Sequence, residues 1–480
     1  MRMMERQCGS GTPAASTETQ PGFSRRNFLR VSAWAAASAP FLSSCSTIPA
    51  PAPKRSFGAN EKLQHACIGV GGMGWVDLNS FIKHPRLQIV ALCDVDSNHL
   101  DKAAETVPGA RLYSDWRELL EKEQNNIDSM NLAVPDHMHF PIAYTAIQNG
   151  KHVYCQKPMC HDVAEVRALT RAAGRSGAVT QLGTQAASTQ NERAAVEWLR
   201  KGVIGKVTHA YLCSNRPGAE TYRPAGPRPE AGVTPPPHLN WDLWIGTAPM
   251  RPYAPDIYHP TRWRAWQDFG TGWSGDIGCH IFDPVWKGLG LRPALSVQAE
   301  VQESWLKSPT RRTDNWPQGQ HITWTLPGND MVAGNELVLE WFDGEFYPPE
   351  HIRKLYSNDL KDYPTESSII IGTEGALLIG HGQPPILLPE DKFQSQKLEL
   401  PPPRDHYLHF VDACLGKAQT ECHFSQTGPM TETILLGTVA IRMPGEKLAW
   451  DHKRLQFTNN SRANKLLRRT YREKWHTGPF

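Results

Sequence analysis

Between the apolar run His65-Ala-Cys-Ile68 and a helical pattern reaching to about Lys83 stands Gly69-Val-Gly71-Gly72-Met73-Gly74, the segment that most restricts the fold. A lone G-x-G-x-x-G is a weak signal. Here it follows a predicted strand, opens a predicted helix, and stands 20 residues before Asp94, which ends the next apolar run, Leu87-Gln-Ile-Val-Ala-Leu-Cys93. That is a βαβ unit in which each glycine has its own duty. Gly69 permits a tight turn, Gly71 lets the backbone approach a pyrophosphate, and Gly74 allows the helix to pack closely, with Gly72 and Met73 completing the turn. Amides at the helix N-terminus supply the partial positive charge that phosphates need. Asp94 is expected to accept hydrogen bonds from the ribose of an adenosine, with Asp96 close behind. Its charge repels the extra phosphate of NADP, so the predicted cofactor is NAD.

The rest of the chain reads in two textures. Helix patterns over 98–106 and 115–122, strands over 127–134 and 152–155, and a helix over 142–148 between them continue the alternation, which predicts a doubly wound parallel sheet over residues 61–182. Beyond Gly183 come a helix over 191–201, a strand over 207–214 and a Pro- and Gly-rich stretch over 217–237, long enough to be functional or covering. Later β-rich runs over 321–326, 336–342, 368–371 and 376–379, followed by helices over 407–414 and 431–442, predict an α+β domain over 183–460. Its sheet is expected to be open and largely antiparallel, and the domain to bind substrate and join copies into a homo-oligomer. At 480 residues the chain exceeds what one core usually serves, in keeping with two domains. The last segment, 461–480, carries Arg468, Arg469 and Arg472 and reads as a solvated basic tail.

The N-terminus stands apart. Ser24-Arg25-Arg26-Asn27-Phe28-Leu29 leads into a small, apolar run over 31–42 that ends in Leu42-Ser43-Ser44-Cys45. This resembles a twin-arginine export signal with a lipoprotein cleavage box over 1–45, and the apolar run is shorter than the roughly 20 residues needed to span a bilayer. The resemblance implies export by the twin-arginine machinery, a lipid on Cys45, a tether over 46–60 and a periplasmic location. Lys and Arg number 51 against 48 Asp and Glu, which leaves no basic excess for nucleic acid. Apart from Cys8 and Cys45, eight of the ten cysteines are scattered without a Cys-x-x-Cys pair. They read as buried core residues, with neither a metal site nor a disulfide framework.

Two further segments carry chemistry: Val134-Pro135-Asp-His-Met-His139, followed by Gln156-Lys157-Pro158, and Gly270-Thr-Gly-Trp-Ser-Gly-Asp276-Ile-Gly-Cys-His280. Taking hydride from an alcohol requires a group to remove the hydroxyl proton, and histidine titrates near working pH. A lysine cation stabilises negative charge developing on that oxygen. Asp276 and His280, four residues apart, share a helical face. With the glycine turn, these segments resemble the glucose-fructose oxidoreductase and inositol dehydrogenase (Gfo/Idh/MocA) family, from about Leu63 to Arg442, and within it the exported members with Gln-Lys-Pro in place of the commoner Glu-Lys-Pro. The resemblance implies that Lys157 hydrogen-bonds the reacting hydroxyl, that His280 moves its proton, and that Asp276 orients or shares that role. Pro135 and His139 then line the nicotinamide side. Gln156 is able to bond a ribose but not to accept a proton, and Gln185 is a polar contact to nicotinamide ribose or substrate.

Tyr258-His259-Pro-Thr-Arg-Trp263-Arg264-Ala-Trp266 concentrates rings and guanidinium groups of the kind that stack on sugar faces and bind hydroxyl pairs or carboxylates. Tyr258, His259, Trp263 and Arg264 are therefore candidate contacts for a carbohydrate or cyclic polyol, whereas Trp241 and Trp244 read as packing. Two activities share this constellation. One is an NAD-dependent oxidoreductase acting on a sugar hydroxyl. The other, similar to the NAD-dependent N-acetylgalactosaminidases of the same fold, is a glycosidase or lyase that oxidises, eliminates, adds water and re-reduces. The latter needs a second base, for which His259, Tyr258 and His137 are candidates. An exported enzyme finds no ready NAD pool, so either activity calls for a cofactor that is loaded before export and kept.

Overall fold

The computed structural model describes residues 57–217, 224, 228–397 and 399–476. The export signal and Cys45 lie outside them. Six strands form the first sheet: β1 (Leu63–Ile68), β2 (Leu87–Cys93), β3 (Arg111–Tyr113), β4 (Ser129–Leu132), β5 (His152–Cys155) and β6 (Thr180–Leu182). All pair in parallel, in the order β3-β2-β1-β4-β5-β6. The chain winds outward from β1 in one direction, returns to the centre and winds outward in the other. Loops after β1 and β4 therefore diverge, leaving a crevice at the carboxyl edge where ligands of such sheets bind. Strands covered by helices on both faces are apolar along most of their length, and in β2 only Gln88 is exposed. Side-chain caps fix where helices begin: Asp96 accepts from the Asn98 amide, and Asp162 forms a reciprocal capping box with Glu165.

Nine strands form the second sheet: β7 (Val207–Ser214), β8 (Ser296–Val301), β9 (Gln320–Pro327), β10 (Glu336–Asp343), β11 (Glu366–Gly372), β12 (Ala376–Gly380), β13 (Ile386–Leu388), β14 (Leu448–Asp451) and β15 (Gln456–Phe457). Their order is β13-β12-β11-β7-β10-β9-β8-β14-β15, antiparallel throughout except between β7 and β10. Burial alternates strictly along β9 because only one face is covered, by the helices Gly272–Leu289 and Phe424–Ile441. A continuous apolar cluster joins the two sheets, running from Met130 and Leu132 through Trp273 and Leu435 to Trp324. All eight described cysteines are free and buried, as their scatter predicts.

Two expectations change. The helix expected over 431–442 begins at Phe424, because burial of Phe424, Thr427 and Met430 carries it through Pro429. Packing there outweighs the backbone donor that proline lacks. The basic tail is not solvated. Arg469 pairs with Glu165 at 2.8 Å and donates to the His137 carbonyl, Arg472 pairs with Asp242, and Tyr471 and Trp475 are buried in the core. The rings between the arginines anchor a segment whose charge alone suggests a free end.

Candidate active site

Three glycines of the turn, Gly69, Gly71 and Gly74, stand where a side chain would clash. A Cβ on Gly69, whose φ is +76°, would fall 2.4 Å from the Ala133 carbonyl oxygen, and one on Gly74 would fall 1.9 Å from that of Gly69. On Gly71 it would meet the His99 ring at 2.3 Å. Gly72 then leads into the helix Met73–Phe81 with no side-chain cap, so first-turn amides remain available to an anion, with Met73 exposed beside them. Asp94 accepts from the Val70 amide at 2.8 Å and from the Asp96 amide at 2.9 Å, which orients the carboxylate beside the turn. Burial raises its pKa. The turn fits a dinucleotide.

A segment of the second domain is stitched over this end of the crevice. The Ser97 amide donates to the His238 carbonyl at 2.8 Å and the Asn240 amide to that of Val95 at 2.9 Å. The Asp96 carboxylate receives His238 Nδ1 at 3.0 Å and His259 Nε2 at 3.1 Å. His99 completes a group with Asp96 and His259 in which one ligand atom from each lies within 4.8 Å of the others. His259, expected at the substrate, thus bonds Asp96, two residues after Asp94. Tyr258 and Trp263 are buried in an apolar cluster with Trp241, Trp244, Trp266 and Phe269, and Trp241 stacks on Trp244 at 4.7 Å.

Beyond the carboxyl ends of β5 and β6 lies a cavity of about 330 Å³ lined by Lys157, Gln185, Arg216, Arg264, Asp276, His280 and His381, among others. Asp276 and His280 project from the helix Gly272–Leu289, one turn apart as their spacing predicts. Lys157 Nζ lies 3.0 Å from Asp276 Oδ2 and donates to the Asp276 carbonyl at 3.0 Å, while Arg264 Nε lies 3.2 Å from Oδ1. Burial works against ionised Asp276, but the two cations outweigh it and bring its pKa down to about 2. Burial, aided by the Lys157 charge, pushes His280 well below its ordinary value, so the ring is neutral, and its Nδ1 has no partner among the described residues. The site thus gathers a firm carboxylate, a cation facing open space and a neutral imidazole able to take a proton. Gln185 donates to the hydroxyls of Tyr154 and Tyr407 at 3.3 and 3.2 Å while facing the same cavity.

Several predicted residues stand elsewhere. His139 is buried with Nδ1 2.6 Å from the Pro158 carbonyl and Nε2 2.8 Å from that of Val134, so it braces the loop that carries Lys157. Gln156 donates to both oxygens of buried Asp77, at 2.8 and 3.1 Å, and not into open space. Pro135 caps the short turn Asp136–Met138. His137 points Nε2 at the Trp244 and Ile245 carbonyls, away from any second-base role. Three residues were missed. Asp136 accepts from the Thr271 amide and hydroxyl, both at 3.0 Å, and burial together with the Asp276 charge raises its pKa to about 7. It could have been read in Val-Pro-Asp-His. Arg216 and His381 carry no such signal; only the pairing of β7, β11 and β12 brings them together. Glu366 spans the two: its carboxylate lies 3.6 Å from Arg216 Nε and its carbonyl accepts from the His381 amide at 2.9 Å.

Comparison with known proteins matches residues 63–184 to the oxidoreductase family model for an NAD-binding Rossmann fold, and residues 226–326 to that of the family's C-terminal alpha/beta domain. A glycosyl hydrolase family 109 protein of Saccharopolyspora erythraea is 29% identical over 204 residues, 38% of this chain and 44% of the relative. An inositol 2-dehydrogenase of Rubrobacter xylanophilus is 26% identical over 150 residues, 31% of this chain and 42% of the relative. The chain therefore spans about two fifths of the length of these curated relatives. Among solved structures, the WlbA dehydrogenase of Chromobacterium violaceum, in complex with NADH and UDP-GlcNAcA, superposes with a TM-score of 0.57 at 16% identity. That match covers 83% of this chain and 99% of the other, and shows a shared fold.

Proposed function

Because residues 63–184 and 226–326 match the models of the two domains of Gfo/Idh/MocA oxidoreductases, we propose that the protein oxidises a hydroxyl of a sugar or cyclic polyol using an NAD that it does not release. The observation that carries this reading is the convergence of Lys157, Asp276 and His280 on one cavity at the carboxyl edge of the nucleotide-binding sheet. NAD, when bound by the glycine turn, supplies the hydride acceptor. Lys157 Nζ, held by Asp276, donates to the reacting hydroxyl oxygen and stabilises its developing charge. His280, which lines the same cavity as a neutral imidazole, accepts the hydroxyl proton. Asp276, kept ionised by two cations, holds the Lys157 side chain in place. Similarity to an inositol dehydrogenase supports a polyhydroxylated ring as substrate.

Retention follows from the segment containing His238 and His259, which is bonded across the adenosine end and would have to lift before a nucleotide could leave. It suits a protein exported already folded, through its twin-arginine signal, and anchored in the periplasm by a lipid on Cys45.

One observation favours the redox-neutral glycosidase as a second reading. His381, 5.0 Å from His280 between ring centres, lines the same cavity and is a candidate second base, and a family 109 glycosyl hydrolase is among the relatives. Incubating purified protein with aryl glycosides of several sugars, without added cofactor, separates the two. One equivalent of reduced nicotinamide without aryl alcohol is expected. Continuing release of aryl alcohol would favour the glycosidase, and neither signal from any sugar would overturn both.

A further inference from the structure

We propose that the ring bound in this cavity is a sugar acid whose carboxylate is received by the guanidinium fork of Arg216, a substrate class that rests on the oxidoreductase reading above. Among the described residues the cavity wall holds three basic side chains, Lys157, Arg216 and Arg264, and one carboxylate, Asp276. Asp276 is shared by Lys157 and Arg264, at 3.0 and 3.2 Å. Arg216 is paired, among the described residues, with Glu366, at 3.6 Å from Nε. Counting Glu366, the described residues still set three basic side chains against two carboxylates. Among the described residues behind the wall, burial raises the pKa of Asp136 to about 7 and raises that of Glu192, which weakens both as counter-charges. An excess positive charge around a cavity of about 330 Å³ selects an anionic occupant of monosaccharide size.

Geometry makes Arg216 the receiving group. Its guanidinium lies over the Trp273 ring, 5.1 Å from the ring centre. That ring is itself fixed by Nε1 bonds to the Ser214 carbonyl and hydroxyl, both at 3.1 Å. A planar fork stacked on a fixed indole is already oriented for two parallel bonds to a carboxylate. Trp273 and Asp276 are three residues apart on one helix, about 4.5 Å of rise, the order of one sugar ring. Arg216 lines the cavity with Lys157 and Asp276, so a ring whose hydroxyl meets that pair has Arg216 within the same enclosure to receive another substituent. A neutral hydroxymethyl group there leaves the cation without a counter-charge, whereas a carboxylate satisfies it.

The test is calorimetric binding to the protein as isolated with its nucleotide, using three matched pairs: D-glucuronate and D-glucose, D-galacturonate and D-galactose, D-mannuronate and D-mannose. A charged, bidentate contact is worth about ten-fold or more in Kd, so at least one acid should bind that much more tightly than its neutral partner. In Arg216→Met the ratio should fall to within about three-fold. The proposal is overturned when no acid is preferred, or when the preference survives in the variant. Following reduced nicotinamide in the same samples keeps the two readings apart. Acid preference without any reduction would leave the subsite standing and remove the oxidoreductase; reduction by neutral sugars without acid preference would do the reverse.

Discussion

Replacing Lys157 by methionine separates chemistry from cofactor retention. Methionine nearly matches the lysine stem, so the cavity keeps its shape and only the ammonium is lost. Its loss removes both 3.0 Å contacts to Asp276, leaving that carboxylate with Arg264 alone. Burial then acts less opposed, and the Asp276 pKa rises from about 2. Breaking one member of a buried pair costs about 3–5 kcal/mol. Here Arg264 remains and Lys157 keeps 16% of its side chain exposed, so a loss at or below the bottom of that range, roughly 2–3 kcal/mol of stability, is expected. The catalytic cost is larger in effect, because a charged donor aimed at the reacting oxygen contributes about 10²–10³-fold to turnover. The glycine turn and the Asp96 contacts are untouched, so nucleotide content should equal that of the parent. Stopped-flow formation of reduced nicotinamide, alongside nucleotide extraction, reads both quantities. Turnover within about three-fold of the parent, in a folded and loaded variant, would refute the role given to Lys157.

Three further outcomes follow from the geometry. Replacing His238 and His259 together by alanine removes both imidazole contacts to Asp96, each worth about 1.5 kcal/mol or more as a hydrogen bond to a charged group, so NAD should dissociate about 100-fold faster in a fluorescence chase. Gly74→Ala places a Cβ 1.9 Å from the Gly69 carbonyl, so the variant should be isolated without nucleotide and with a lowered melting temperature. Asp136 is held up to about 7 in the fold against about 4 in an unfolded chain, so it binds its proton more tightly when folded. The stability it contributes is complete below about pH 4 and is lost as the pH rises to about 7. Asp136→Asn, which still accepts from Thr271, escapes that loss, and its melting temperature relative to the parent should rise between pH 4 and pH 8.

Local signals made the nucleotide half legible. The strands Leu87–Cys93 and His152–Cys155 end where the sequence places them, because doubly buried strands are unbroken apolar runs closed by turns. Asp276 and His280 were readable as neighbours because helical spacing alone determines it. The aromatic segment was misleading for a physical reason: Tyr258 and Trp263 suit a sugar face and a core equally well, and here the core takes both. His259 is polar enough to suggest substrate, yet its partner Asp96 is 163 residues earlier, a separation that no local pattern records. Arg216 and His381 meet only through the register of β7, β11 and β12, so nothing in either neighbourhood marks them.

The central claim is that this protein keeps an NAD and passes a sugar's hydride to it. The most direct measurement is the near-ultraviolet spectrum of protein freed of small molecules by gel filtration, before and after sugars and sugar acids are added with no external nucleotide. One equivalent of reduced nicotinamide per chain, absent in Lys157→Met, is the predicted result. Protein that carries no nucleotide, or that carries NAD and leaves it oxidised with every sugar and sugar acid, would contradict the account.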